Sequence, residues 1–483
     1  MTVTSLVPSP AGEPARAHRS AAEIGRTAAG ARPLPPLESR RGHRLPATAD
    51  TVLPNGLRVI AARQPSTPMV ELRMSVPFVG TTFAHAATAE VLATVLFRRG
   101  HAERAGREAD MARHGVTLAA HRTSGWLQIS GAAPGHALDT LVGALADAVI
   151  DGSVDEAEIG PVRDRMVRQI ALIRAQPRVL AQEALVAHCY GELPALQEVP
   201  FAAPVAAVTG AAVRDLHHER LRPRGTVLVL VGDLDPERAV ESVAAACGSW
   251  GPGGPSPAPL RLPSPHPGRV ALVPRADAVQ SQIKLVRPVV ARTDDRFPAL
   301  SLATLVFGGY FSSRLVTSIR EDKGLAYRAE AGFEDHLDSL VLTADADTAT
   351  EATVTAYREI RAELGRMAAA VPSAAEVDAA REYTVGMTML TLASQAGFAS
   401  SVATAVCLGH EPERVTAFPD LLRGVTRDQV ARVAREFFDP DAFGGVVVGD
   451  ADRLASGLRA AGVEVADTEV LAARAETRSR NTP

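Results

Sequence analysis

Gly308-Gly-Tyr-Phe-Ser-Ser-Arg-Leu315, running on to Ile319-Arg-Glu-Asp-Lys-Gly-Leu-Ala-Tyr327, is the most informative stretch of this 483-residue chain. Phe311, Leu315 and Ile319 recur at i, i+4 and i+8, the spacing that marks one buried face of a helix. Gly324 suits the residue that ends such a helix, and Leu325-Ala-Tyr327 opens a strand. Arg320 therefore falls in the last helical turn and Tyr327 just past the cap. A sharp reversal at Gly324 can bring the two side chains to one place. There a guanidinium and a phenol could donate to a peptide carbonyl, and more strongly to an oxyanion. A blander reading competes: an arginine near a helix C-terminus suits the dipole, and a strand tyrosine is commonly half-buried core. Gly308-Gly309 reads as a tight strand-to-helix turn that needs glycine.

Outward from that stretch the chain reads as two related halves. Val227-Leu-Val-Leu-Val-Gly-Asp233 and Val446-Val-Val-Gly-Asp450 each read as a buried strand leading into a turn, and their aspartates lie 217 positions apart. Thr51-Val-Leu-Pro-Asn-Gly-Leu-Arg-Val-Ile60 opens the first half, with Asn55-Gly56 as a hairpin turn. Helical patterns recur in both, at Leu138 to Val149 and Thr350 to Met367. Between them runs GPGGPSPAPLRLPSPHPG, Gly251 to Gly268, whose proline and glycine describe an extended linker. The expected organisation is a flexible tail over 1–47, a first half over 48–250, a linker over 251–267, a second half over 268–462 and a tail over 463–483.

Composition narrows the function. Lys+Arg 51 against Asp+Glu 55 leaves a net charge of −4, which argues against nucleic acid or an anionic membrane as partner. Three separated cysteines, Cys189, Cys247 and Cys407, make no disulfide framework. The chain shows no apolar run long enough to span a bilayer and no secretory leader, so a cytoplasmic location is expected.

The order of these pieces, from Leu53-Pro-Asn-Gly-Leu-Arg-Val-Ile60 through the Gly-Gly…Ser-Ser-Arg-Leu…Ile-Arg-Glu…Gly-Leu-Ala-Tyr string to the Val-Gly-Asp ends, resembles the insulinase-like (pitrilysin-type, inverzincin) metallopeptidases. The resemblance implies an α+β fold of two homologous halves, each an antiparallel-rich sheet with helices on one face. Together they would form one half of a clamshell chamber that cleaves unfolded peptides. The family's metal motif, His-x-x-Glu-His on a helix, aligns with Glu90-Val-Leu-Ala-Thr-Val-Leu-Phe97. The ligand positions hold Glu90 and Thr94, the general-base position holds Ala93, and the third ligand falls near Gln169. One carboxylate and a hydroxyl do not make a zinc site, and without Glu at position 93 no base is present. An edge strand that pairs with substrate in active members corresponds to Gly115 to Ala120, with Ala119 and Ala120 at the pairing positions, where the backbone could still add a strand. Arg320 and Tyr327 match the family's substrate-binding arginine and tyrosine in type and spacing.

The resemblance thus implies no cofactor in this chain and a heterodimer with a homologous, zinc-bearing subunit. Arg320 and Tyr327 would be contributed to that subunit's active site. Substrates would be peptides, with leaders of ribosomally made natural products as one class. A catalytically inert structural or peptide-binding protein of the same descent is the other reading.

Overall fold

The computed structural model describes residues 45–98, 109–152, 156–191, 193–251, 269–336 and 339–466. Two six-stranded sheets organise them. The first takes β1 (Thr48–Val52), β2 (Arg58–Arg63), β3 (Met69–Pro77), β4 (Thr117–Arg122), β5 (Trp126–Pro134) and β6 (Val227–Gly232), in the order β1-β2-β6-β3-β5-β4. The second takes β7 (Val270–Pro274), β8 (Gln280–Val289), β9 (Ala326–His336), β10 (Ser339–Ala349), β11 (Gly444–Gly449) and β12 (Glu464–Val465), in the order β12-β7-β11-β8-β10-β9. The five strands β2-β6-β3-β5-β4 and β7-β11-β8-β10-β9 repeat one plan. In each, the first pair is parallel and the others are antiparallel. The two Val-Gly strands β6 and β11 occupy the same central place and are buried along their whole length. The Asn55 turn closes β1 on β2 and ties back across the half, its side-chain amide donating to the Cys247 carbonyl at 2.8 Å.

One face of each sheet carries its own half's helices. On the first lie α1 (Phe83–Val95), α2 (Leu138–Ile150) and α3 (Glu156–Arg174), and Leu72, Met74, Leu92, Leu141 and Leu145 fill the space between. The second sheet is covered by α5 (Phe297–Thr304), α6 (Thr353–Ala369) and α7 (Ala374–Ala393). The opposite faces are not bare, which helices on one face alone did not anticipate. A helix of the second half, α8 (Gln395–Cys407), lays Phe398, Ala399 and Val402 against Ile60, Val229 and Val231 of the first sheet. Reciprocally, α4 (Pro177–Cys189) of the first half lays Ala181, Leu185 and Val186 against Val286, Val446 and Val448 of the second. The chain bends by 109° between α7 and α8 to make that crossing.

Two expectations change. Val463 is buried and Glu464–Val465 pair in parallel with β7, so the C-terminal tail cannot begin at 463. Residues 1–44, 252–268 and 467–483, which hold most of the segments read as tails and linker, lie outside the described residues. Finally, the segment Phe297–Asp322, two helical runs broken at Tyr310–Ser313, is by length and composition apolar enough to cross a membrane, but 61% of its window is buried, as in a core helix.

Candidate functional site

β9 is the edge of the second sheet, as β4 is of the first. It is also irregular. Asp347 of β10 faces Arg328 while Thr348 faces Ala326, so Tyr327 is the extra residue of a β-bulge. Bulges re-aim side chains, and Tyr327 stands 85% exposed rather than folded into the core. The helix before it ends in a π-helical turn, Thr317–Asp322, that carries Arg320. Gly324 takes the left-handed φ of 58° that an L-residue adopts only with strain, and Leu325 N–H donates to the Ile319 carbonyl at 2.8 Å, closing the turn. Strand β9 then starts at once, and the Arg320 guanidinium carbon lies 5.0 Å from the Tyr327 ring centroid. The sequence expectation of two side chains converging across Gly324 matches this geometry. Neither is core.

Phe311 departs from its expected place. The chain is extended at Tyr310 (φ −152°, ψ 171°) and re-enters a helix only at Arg314, so Phe311 lies outside the helix. Leu315 and Ile319 are fully buried, but Phe311 is 63% exposed. Its ring also faces Arg320, 4.9 Å from the guanidinium carbon. Gly308-Gly309 ends a helical run from Phe297 instead of turning a strand into a helix. Its glycine has a packing reason: a Cβ at 308 would meet Ala331 Cβ of β9 at 2.8 Å.

Charged pairs pin the segment. Arg314 donates to both oxygens of Glu376 at 2.6 and 3.0 Å, and Glu376 also caps α7 through Ser373. The Arg314 bonds hold the Glu376 carboxyl down at about 2. Lys323, 2.5 Å from Glu359, holds that carboxyl at about 2 as well, with Ser318 donating to it at 2.9 Å.

The metal positions of the first half look different. Glu90, Ala93 and Thr94 lie on α1, whose N-terminus Thr82 caps. Thr94 Oγ1 donates to the Glu90 carbonyl one turn back at 3.0 Å, and Ala93 is buried. The Glu90 carboxylate accepts from Arg122 of β4 at 3.3 Å. That arginine side chain is only 5% exposed, and its other end donates to the Gln197 carbonyl at 2.7 Å. Gln169 lies on α3 and is exposed. A zinc ion does not fit this set: the sole carboxylate on α1 already faces a buried cation, and none of the aligned positions carries an imidazole. Among the described residues no group of three or more His, Cys, Asp or Glu side chains is placed to hold a metal.

Ala119 and Ala120 lie on β4, opposite Ser130 and Ile129. Ala119 is exposed, and Ala120 packs partly against the core. Among the described residues no strand pairs with the outer edge of β4. Sequence reasoning brought Arg320 and Tyr327 together but missed the Phe311 contact and the Arg122–Glu90 pair. Only a tertiary contact joins Arg122 to Glu90, so no local signal existed.

A family model described as the peptidase M16 inactive domain matches residues 207–383, the span that contains Arg320 and Tyr327. An uncharacterized zinc protease of Mycobacterium leprae is 28% identical over 211 residues, 43% of this chain and 47% of that protein. The chain thus spans about half the length of the mycobacterial relatives it matches. An uncharacterized zinc protease of Bacillus subtilis is 24% identical over 310 residues, 63% of this chain and 73% of that protein. Among solved structures, a peptidase M16 inactive domain from Pseudomonas fluorescens superposes with a TM-score of 0.75 at 19% identity, covering 83% of this chain and 98% of that one. At that identity the likeness concerns the fold.

Proposed function

We propose that this chain, which resembles the insulinase-like family, carries out no metal chemistry of its own and serves as the zinc-free subunit of a two-chain peptidase. A homologous partner would hold the zinc and activate the attacking water, while this chain closes the other side of the chamber. Arg320 and Tyr327 would donate N–H and O–H to the scissile carbonyl and hold the oxyanion that forms there. One observation carries the reading: an exposed Tyr327 and a half-buried Arg320 lie in contact at a sheet edge, while an ion pair of the buried Arg122 side chain with the half-buried Glu90 fills the metal end of the first half. The open edge of β4, at Ala119, would add a strand to the bound peptide. Leader peptides of ribosomally made products are the substrate class we favour, in the cytoplasm.

The test is peptide cleavage by this chain, by a zinc-bearing homologue from the same genome, and by their mixture. We expect cleavage only from the mixture, with Arg320→Ala and Tyr327→Phe each reducing turnover about 10- to 1000-fold. Full activity from the homologue alone, unchanged on adding this chain, would return it to an inert structural role.

A further inference from the structure

We propose that Phe311 is a positioning residue for Arg320: its ring and that of Tyr327 both lie against the guanidinium and restrict it, leaving N–H groups to donate to a ligand. The inference rests on the reading of Arg320 just given and extends it to a side chain that periodicity assigned to the core. Phe311 and Tyr327 approach the guanidinium carbon at 4.9 and 5.0 Å. Both rings are largely exposed, an arrangement that packing alone does not explain. Among the described residues, the other charged partner of Arg320 is the Glu321 carboxylate at 3.4 Å, on the adjacent residue. A flexible arginine that must grip a carbonyl loses rotamer freedom on binding. Two aromatic faces remove part of that freedom beforehand while using none of the planar N–H donors. The extended residue Tyr310 that breaks the helix is what frees Phe311 to reach this place, and stacking of Tyr310 on Tyr383 of α7, 5.2 Å between centroids, fixes the break.

Two measurements on Phe311→Leu and Phe311→Tyr test this. In the full chain alone, ¹⁵N relaxation of the Arg320 Nε–H should show a lower order parameter in Phe311→Leu, restored in Phe311→Tyr, with the melting temperature of both within about 2 °C of wild type, as for an exposed site. In the mixture with the zinc-bearing homologue, Phe311→Leu should lower kcat/KM on a fluorogenic peptide about 2- to 5-fold, Phe311→Tyr should retain it, and Phe311→Leu should cost nothing further when Arg320 is already Ala. An unchanged Arg320 order parameter in Phe311→Leu overturns the proposal, as does an equal loss of rate in the Arg320→Ala background. If Arg320→Ala itself leaves the rate unaltered, it is the function proposed above that fails, and the relaxation measurement still decides whether Phe311 holds the guanidinium.

Discussion

Glu376 is one carboxylate with three jobs: it receives both Arg314 donors, caps α7, and thereby fixes the Ser-Ser-Arg-Leu segment ahead of Arg320. Its folded pKa of about 2 lies below the roughly 4.3 of an unfolded glutamate. The stability it contributes is therefore fully present above about pH 4.3 and is lost as the pH falls through about 2. Because the side chain is partly solvated, we expect about 1 kcal/mol, well under the full shift. Urea unfolding of Glu376→Gln should show that deficit at pH 7, narrowing below pH 4 and closing near pH 2. A deficit independent of pH would mean the cap, not the charge, is what stabilises. At this scale the sequence was legible wherever the determinant is local. Arg320, Gly324 and Tyr327 lie within eight residues, and helix, cap and strand follow one another without help from elsewhere. Phe311 was misplaced because its spacing fits a helix that the backbone leaves at Tyr310. Arg122 gave no signal at all, since its meaning depends on a partner 32 residues away.

Between residue and molecule, the element that sets the site is the helical run packed under β9. Gly308 lets it approach so closely that a Cβ would stand 2.8 Å from Ala331 Cβ and 3.1 Å from its backbone nitrogen. Gly308→Val should therefore push the run from the strand and cost about 1–3 kcal/mol, read as a lower urea midpoint. Gly308→Ala should cost less, and Gly309→Ala, which meets flexible Leu305 side-chain atoms at 3.0 and 3.3 Å and the Thr304 carbonyl at an ordinary 3.4 Å, least. Equal effects at 308 and 309 would show that backbone entropy rather than contact is at issue. The two π-helical turns, Leu305–Gly309 and Thr317–Asp322, could not be read from periodicity, because each displaces the following side chains from the 3.6-residue pattern. The Tyr327 bulge was hidden for the same reason: one unpaired residue leaves no mark on composition.

In the molecule as a whole, the repeat of strands was visible in the Val-Gly-Asp ends, but the exchange of α4 and α8 was not. Each of these helices packs on strands of the other half, a contact that no local pattern encodes. Each half lacks the helix that covers one face of its sheet, so we expect a single calorimetric transition for the full chain. Separately produced halves, residues 45–250 and 269–466, should bind hydrophobic dye alone and lose that binding when mixed. Two transitions, or dye-silent halves, would show that the exchanged helices are accessories. Phe398→Ala on α8 should destabilise the chain by about 3–5 kcal/mol although it is far in sequence from the strands it covers. The same crossing has a consequence during biosynthesis. Once β6 has left the ribosome, its valine-rich face waits for roughly 160 further residues before α8 emerges, about 8 to 30 s at ordinary elongation rates. For that interval the nascent chain presents a naked β surface to the crowded cell, and a holdase that shields it co-translationally becomes as much a determinant of yield as any contact in the finished protein.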